Sequence, residues 1–195
     1  MMESMATVST GGFSLDAIVP IYDIPSRQWV AILFMLLGAI GFHTHFQVIK
    51  GRTLRYYWQQ TEPKILFSAL TGVVLLALLI LNNDHTYDVS MVVFEVAAFV
   101  TTTGFETEIH ASSPFILVVF ALLGIGGACC GSTAGGLKLV RVHVLFQEAK
   151  GLLMRLLYPS IVQTLAVNGK ALSKTYVANV RGYIALFILT FFFSM

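Results

Sequence analysis

Two stretches of the chain, Thr10-Gly11-Gly12-Phe13-Ser14 and Thr102-Thr103-Gly104-Phe105-Glu106, read as one device used twice. Each runs threonine, any residue, glycine, an aromatic, any residue. A strand of this kind can turn its backbone carbonyls on a K⁺ ion and replace the ion's hydration shell. Each stretch leads into a polar segment with acidic residues and then a long apolar one. Such a strand, repeated within one membrane chain, predicts a pore built from covalently joined repeats rather than from separate subunits.

A second stretch, Gly124-Ile125-Gly126-Gly127-Ala128-Cys129-Cys130-Gly131-Ser132-Thr133-Ala134-Gly135-Gly136-Leu137-Lys138, places glycines in the middle of an apolar run. Each glycine costs a helix about 1 kcal/mol relative to alanine, so the run predicts an unwound segment. Discontinuous helices at membrane depth mark ion paths. Phosphate binding is not the chemistry, because Gly-Lys-Ser/Thr is missing. Ser132 is not in a Gly-x-Ser-x-Gly elbow, since position 130 is cysteine. Two readings stay open here: a mobile loop that lines or gates an ion path, and close packing of small residues on a neighbouring helix. The strand at 102–106 has a bland alternative too, a Thr-rich re-entrant turn that holds no ion. The second copy at 10–14 weighs against that alternative.

The elements that position these strands belong in a membrane. The chain is 56% hydrophobic and 11% charged, against about 25% charge in soluble domains. Its mean hydropathy is +0.79. Crossing a bilayer takes roughly 20 apolar residues. The segments 29–48, 64–81 and 176–195 can each do so, and 114–130 with 137–153 read as two pieces of a fourth span. The start carries no basic region or cleavage site of a signal peptide, and the chain is expected to be part of a longer protein. Cys129 and Cys130 are adjacent in apolar surroundings, so small-residue packing is expected rather than a disulfide.

Charge sets an orientation. With 29–48 running inward, Lys50, Arg52, Arg55 and Lys64 share one cytoplasmic loop. Lys138, Arg141, Lys150, Arg155, Lys170, Lys174 and Arg181 then lie on the same side, and only Arg27 is outside. This follows the positive-inside rule. Between the spans, Asp88-Val89-Ser90 is a helix start, with either polar side chain able to cap free N–H groups. Residues 89–101 are too short to span and fit a pore helix that ends at the midplane. Its C-terminal dipole end would favour a cation. Gly104 relieves the steric limits on carbonyls that must turn toward an ion.

The combination of Thr-Thr-Thr-Gly-Phe at 101–105 with Gly-Gly-Ala-Cys-Cys-Gly-Ser-Thr-Ala-Gly-Gly-Leu-Lys at 126–138 resembles the TrkH/KtrB family of prokaryotic K⁺ transporters. The loop cysteine and Tyr158-Pro159 make it more similar to the TrkH branch, and Val8–Ser14 resembles the family's second filter strand. The resemblance implies an all-α membrane protein of helix–pore-helix–helix repeats around one ion pore. Residues 1–50 would close repeat two, with filter strand 8–14, an extracellular loop and inner helix 29–49. Residues 51–63 would form a cytoplasmic loop. Residues 64–155 would be repeat three: outer helix 64–82, pore helix 89–101, filter 102–106, and a broken inner helix 114–153 with its Gly-rich loop at 126–137. Residues 156–195 would hold a cytoplasmic loop and the first helix of repeat four.

By the same resemblance, the backbone carbonyls of Thr10, Gly11, Gly12, Thr102, Thr103 and Gly104 would hold K⁺, the transported ion. Phe13 and Phe105 would brace the two strands. Gly127, Gly131, Ser132, Thr133, Gly135, Gly136 and Lys138 would form the gating loop. Serine in place of a filter glycine goes with Na⁺ permeation in relatives, and Gly12 and Gly104 favour K⁺. No cofactor and no nucleic-acid partner is implied. The expected setting is the plasma (inner) membrane, multi-pass, in a homodimer docked on a cytosolic nucleotide-binding ring of the TrkA/KtrA kind. Glu95 departs from the expected pore helix. It could be protonated, brace the strand or bias cation occupancy.

Other polar residues carry less. His43 and His45 sit two apart on a helix and face different sides, a poor metal pair. Asp16, Asp23, Asp84, Asp88, Glu106 and Glu108 form an acidic outer surface that could enrich cations or simply be solvated. Basic cytoplasmic residues suit anionic lipid as well as a partner. No catalytic constellation is present. The rival readings are a Na⁺-permeable relative, a membrane fragment that transports nothing alone, and a symporter with side-chain substrate ligands.

Overall fold

The computed structural model describes residues 2–13, 25–81, 88–105, 114–158 and 165–194. Asp16, Asp23, Asp84, Glu106 and Glu108, with Ser14, His110 and Pro159, lie outside them. Helix α1 (Met2–Val8) runs into the first strand. Helices α2 (Pro25–Ala39) and α3 (Phe42–Gly51) follow, then α4 (Arg55–Gln59), α5 (Thr61–Leu81), α6 (Val89–Val100) and α7 (Pro114–Gly126). Helix α8 (Leu139–Leu157) leads to a small hairpin, β1 (Ala166–Val167) and β2 (Lys170–Ala171), and to α9 (Lys174–Ser194).

Helix α6 is the hub, with α2, α5 and α7 packed around it. Its sequence allows this because it is apolar around most of its surface: Val92, Phe94, Val96, Ala97, Ala98 and Val100 are all buried, with Glu95 among them. Ala97 and Ala98 let Ala31, Ile32 and Met35 of α2 approach closely. On the α7 side, Phe99 stacks on Phe120 with centroids 4.8 Å apart. The side-chain cap expected at Asp88 or Ser90 does not form. The Ser90 hydroxyl instead donates to the Asp88 carboxylate at 3.0 Å.

Among the described residues, α5 and α9 are long and apolar enough to cross a membrane. Both expose large apolar side chains, such as Leu79 on α5 and Phe192 on α9, as a lipid-facing helix does. The protein is an all-α membrane protein apart from the two-residue strands. Helix α9 docks on α8 through Val144, Val177, Val180 and Ile184. The Arg141 guanidinium lies 3.8 Å over the Tyr183 ring, and Arg181 meets Glu148 at 3.7 Å.

The inner helix expected at 29–49 is divided between α2 and α3. Helices α2 and α3 meet at 95°, with Gly41 extended between them at φ −61°, ψ 134°. The Phe42 N–H, freed from helical bonding, donates to Gly131 O at 2.9 Å. The orphan carbonyls of Gly38 and Ala39 accept from the N–H groups of Thr133 and Cys129, both at 3.2 Å. Irregular backbone in an apolar setting must find such partners. Two breaks satisfy each other here: the short one at 38–41 and the glycine-rich one at 127–138.

Candidate functional site

The two Thr-x-Gly strands have the same backbone. Thr10 and Thr102 are left-handed, at φ 52° and 55°, and so are Gly12 and Gly104, at φ 63° and 78°. The residue between each pair is not. Alternating handedness flips alternate peptide planes, which lets successive carbonyls face one side. Threonine rarely takes this conformation, so something must hold it. The preceding helix does: Gly11 N–H donates to Ala6 O at 2.9 Å, and Thr103 N–H to Ala98 O at 2.8 Å. Two residues earlier, Ser9 N–H and Thr101 N–H bond Met5 O and Ala97 O, each at 2.9 Å. These bonds correspond one to one between the strands.

The strands also touch. Gly12 lies against the Thr103 carbonyl so closely that a Cβ at position 12 would stand 2.0 Å from its oxygen. Gly12 thus sits beside Thr103 and Gly104. A further bond stiffens the second strand, where the buried hydroxyls of Thr101 and Thr103 pair at 2.8 Å. The aromatics behave differently. Phe105 is buried and stacks on Phe94 at 6.1 Å, whereas Phe13 is 69% exposed. By the internal correspondence, Met2 stands in the first copy where Phe94 stands in the second. Glu95 is fully buried in α6.

The glycine-rich loop reaches across both strands. Gly135 N–H donates to Thr102 Oγ1 at 2.6 Å. The Thr133 hydroxyl lies 3.2 Å from Val8 O, just ahead of the first strand, and 3.1 Å from Gly38 O. Ser132 Oγ donates to Cys129 O at 2.6 Å and tightens the turn. The loop closes on its own helices through Leu137 N–H to Ile125 O and Leu139 N–H to Ala128 O, both 2.9 Å. Gly127, Gly131 and Gly136 take positive φ within it, and Lys138 Nζ donates to Ala134 O. Cys129 and Cys130 are free thiols.

Three features escaped the sequence reading. The first is Gly38–Gly41, whose signal was two glycines three apart inside a span. The second is Glu62, which bonds the loop and gives no local signal. The third is a repeated His-x-x-Phe-Gln-x-x-Lys-Gly, at 43–51 and again at 143–151. In both copies the glutamine amide meets the histidine Nε2 at 2.8 Å. Gln147 also clasps both backbone groups of Ala166, at 3.1 and 3.3 Å, while Gln47 accepts from Gln60 at 3.0 Å. His45 is bonded elsewhere, to Tyr57 and the Leu37 carbonyl, so the two histidines of α3 serve different neighbours. His43 follows Thr10 by 33 positions and His143 follows Thr102 by 41, so the second repeat holds eight extra residues. The glycine-rich loop lies within that longer interval.

A family profile described as TrkH, cation transport protein, matches residues 1–195. The Trk system potassium uptake protein TrkH of Salmonella typhimurium is 32% identical over 200 residues, covering 98% of this chain and 41% of that protein. TrkH of Escherichia coli K12 matches to the same identity and extent. The crystal structure of the potassium transporter TrkH from Vibrio parahaemolyticus superposes with a TM-score of 0.90 at 29% identity, over 97% of this chain and 42% of that one. The chain spans about two-fifths of the length of these relatives.

Proposed function

Because this chain belongs to the TrkH family of cation transport proteins, we propose that it supplies two quarters of a K⁺-selective filter and the loop that gates it. K⁺ is held by the backbone carbonyls of Thr10, Gly11, Gly12, Thr102, Thr103 and Gly104. Two strands close only half a ring, so uptake belongs to the full-length protein that carries this chain. The observation that carries the reading is the shared backbone of the two strands, in contact at Gly12 and Thr103 and spanned by one loop. Carbonyl coordination replaces hydration without a charged ligand, so an ion can leave as readily as it enters. The C-terminal end of α6 adds a partial negative charge at the second strand.

Residues 127–138 act as the gate. Their backbone bonds to strand, helix and neighbouring break are individually modest, about 1 kcal/mol each, so the loop can unseat without unfolding the bundle. The membrane potential draws K⁺ inward by about 2.3 kcal/mol per 100 mV. Glycine at both 12 and 104 suits K⁺ over Na⁺. The protein sits in the inner membrane with its basic loops cytoplasmic, as a homodimer that docks a nucleotide-binding ring. The test is ⁸⁶Rb⁺ uptake by the full-length protein in a bacterium lacking K⁺ uptake, with Gly104→Ser. Uptake that falls, or that loses discrimination against Na⁺, supports the filter. Uptake indifferent to position 104 overturns it.

A further inference from the structure

Glu62 occupies the first turn of α5, where a carboxylate commonly stabilises its own helix through free N–H groups and the dipole. It is used differently here. Its neighbour Thr61 donates its N–H to Asn168 Oδ1 at 2.7 Å, and Pro63 has no N–H to offer. The Glu62 carboxylate reaches across to the glycine-rich loop and accepts the Cys130 N–H at 2.5 Å. The same peptide is confined on its other side. The Cys130 carbonyl lies against Gly41, where a Cβ would stand 2.4 Å from the oxygen. The bonds from the loop to the two strands and to the 38–42 break run to neutral partners: the carbonyls of Val8, Gly38 and Ala39, the Phe42 N–H and the Thr102 hydroxyl. A backbone N–H bonded to a carboxyl oxygen contributes about 1 kcal/mol net, and more where the carboxyl is ionised.

We infer that Glu62 is a latch on the glycine-rich loop, a positioning residue that holds the Cys130 peptide and keeps the loop seated against both strands. Its effect on ion flow rests on the gating role proposed above, but its effect on the loop does not. The latch ties the cytoplasmic start of α5 to the loop, so displacement of that end would release it.

Cys129 reports on the loop directly. It is 2% exposed and its N–H is bonded to Ala39 O, so a thiol reagent reaches it only when the loop leaves its seat. The experiment alkylates Cys129 with a maleimide in the full-length protein carrying Cys130→Ser, which keeps the bonded N–H. Rates are read by mass spectrometry for Glu62→Ala and Glu62→Gln, with ⁸⁶Rb⁺ uptake measured on the same variants. Glu62→Ala is expected to speed alkylation about tenfold, and Glu62→Gln, which keeps an acceptor oxygen, no more than about threefold. Faster alkylation together with raised uptake supports the latch and the gate. Faster alkylation with unchanged uptake keeps the latch and overturns the gate. A Glu62→Ala rate within about twofold of the parent overturns the latch, as does a Glu62→Gln rate equal to that of Glu62→Ala.

Discussion

The strands at 9–13 and 101–105 share a backbone and differ in what surrounds it. Both take the left-handed, glycine-ending conformation, and both hang from the last turn of a helix by matching bonds. The second is enclosed: Thr101, Thr103 and Phe105 are 0%, 3% and 2% exposed, and a 12-residue helix precedes it. The first ends on an exposed aromatic, Phe13. The conformation therefore comes from the local hydrogen-bond pattern and the glycine, while the bracing is a separate layer. A strand can carry the first without the second.

The sharpest way to break the comparison is at its glycines. Gly12 and Gly104 have similar φ, but a side chain at 12 would meet backbone while one at 104 meets open space. Gly12→Ala is expected to abolish ⁸⁶Rb⁺ uptake. Gly104→Ala carries the left-handed penalty of about 1–2 kcal/mol and is expected to lower uptake, though less than Gly12→Ala. Equal losses at the two positions would mean that the strands do not depend on their contact at Gly12.

The aromatics come next. Phe105→Ala removes a buried, stacked ring and is expected to destabilise by about 3–5 kcal/mol, read as a lower thermal midpoint in detergent. Phe13→Ala is expected within about 0.5 kcal/mol of wild type, as for an exposed site. A large effect at Phe13 would show that another part of the full-length transporter covers it, and would make the two strands alike.

Smaller effects separate the loop from the clamps. Thr133→Val removes the hydroxyl shared between Val8 O and Gly38 O and leaves the N–H bond to Gly38 O in place. A cost of about 1 kcal/mol is expected, seen as faster hydrogen exchange at Cys129 and Thr133. At the repeated His–Gln pairs, either substitution to alanine frees the paired histidine; Gln147→Ala also strands both backbone groups of Ala166, while Gln47→Ala also frees the Gln60 amide. The first is expected to cost about 1–2 kcal/mol and the second under about 1 kcal/mol in the same melting assay.

Much of this was legible in the residues. The apolar run at 89–100, too short to span, announces α6, and the glycines at 124–136 announce the unwound segment. The two Thr-x-Gly-aromatic stretches announce matching strands. What was hidden depends on distant partners. The bend at Gly41 lies in an apolar run that reads as one span, and its carbonyls are satisfied by a loop some ninety residues away. Glu62 looks like an ordinary first-turn acid until the fold brings Cys130 to it. The unequal burial of Phe13 and Phe105 gives no sign in two stretches that read alike. The His-x-x-Phe-Gln-x-x-Lys-Gly repeat needed only a self-comparison of the chain.

In the function proposed for this chain, carbonyls of both strands hold the same ion. The most direct measurement is anomalous diffraction from crystals of the full-length protein grown in Rb⁺. An Rb⁺ peak in contact with the carbonyl oxygens of residues 10–12 and 102–104 is the predicted result. Rb⁺ bound elsewhere in a protein that transports it, with no peak at these strands, would contradict it.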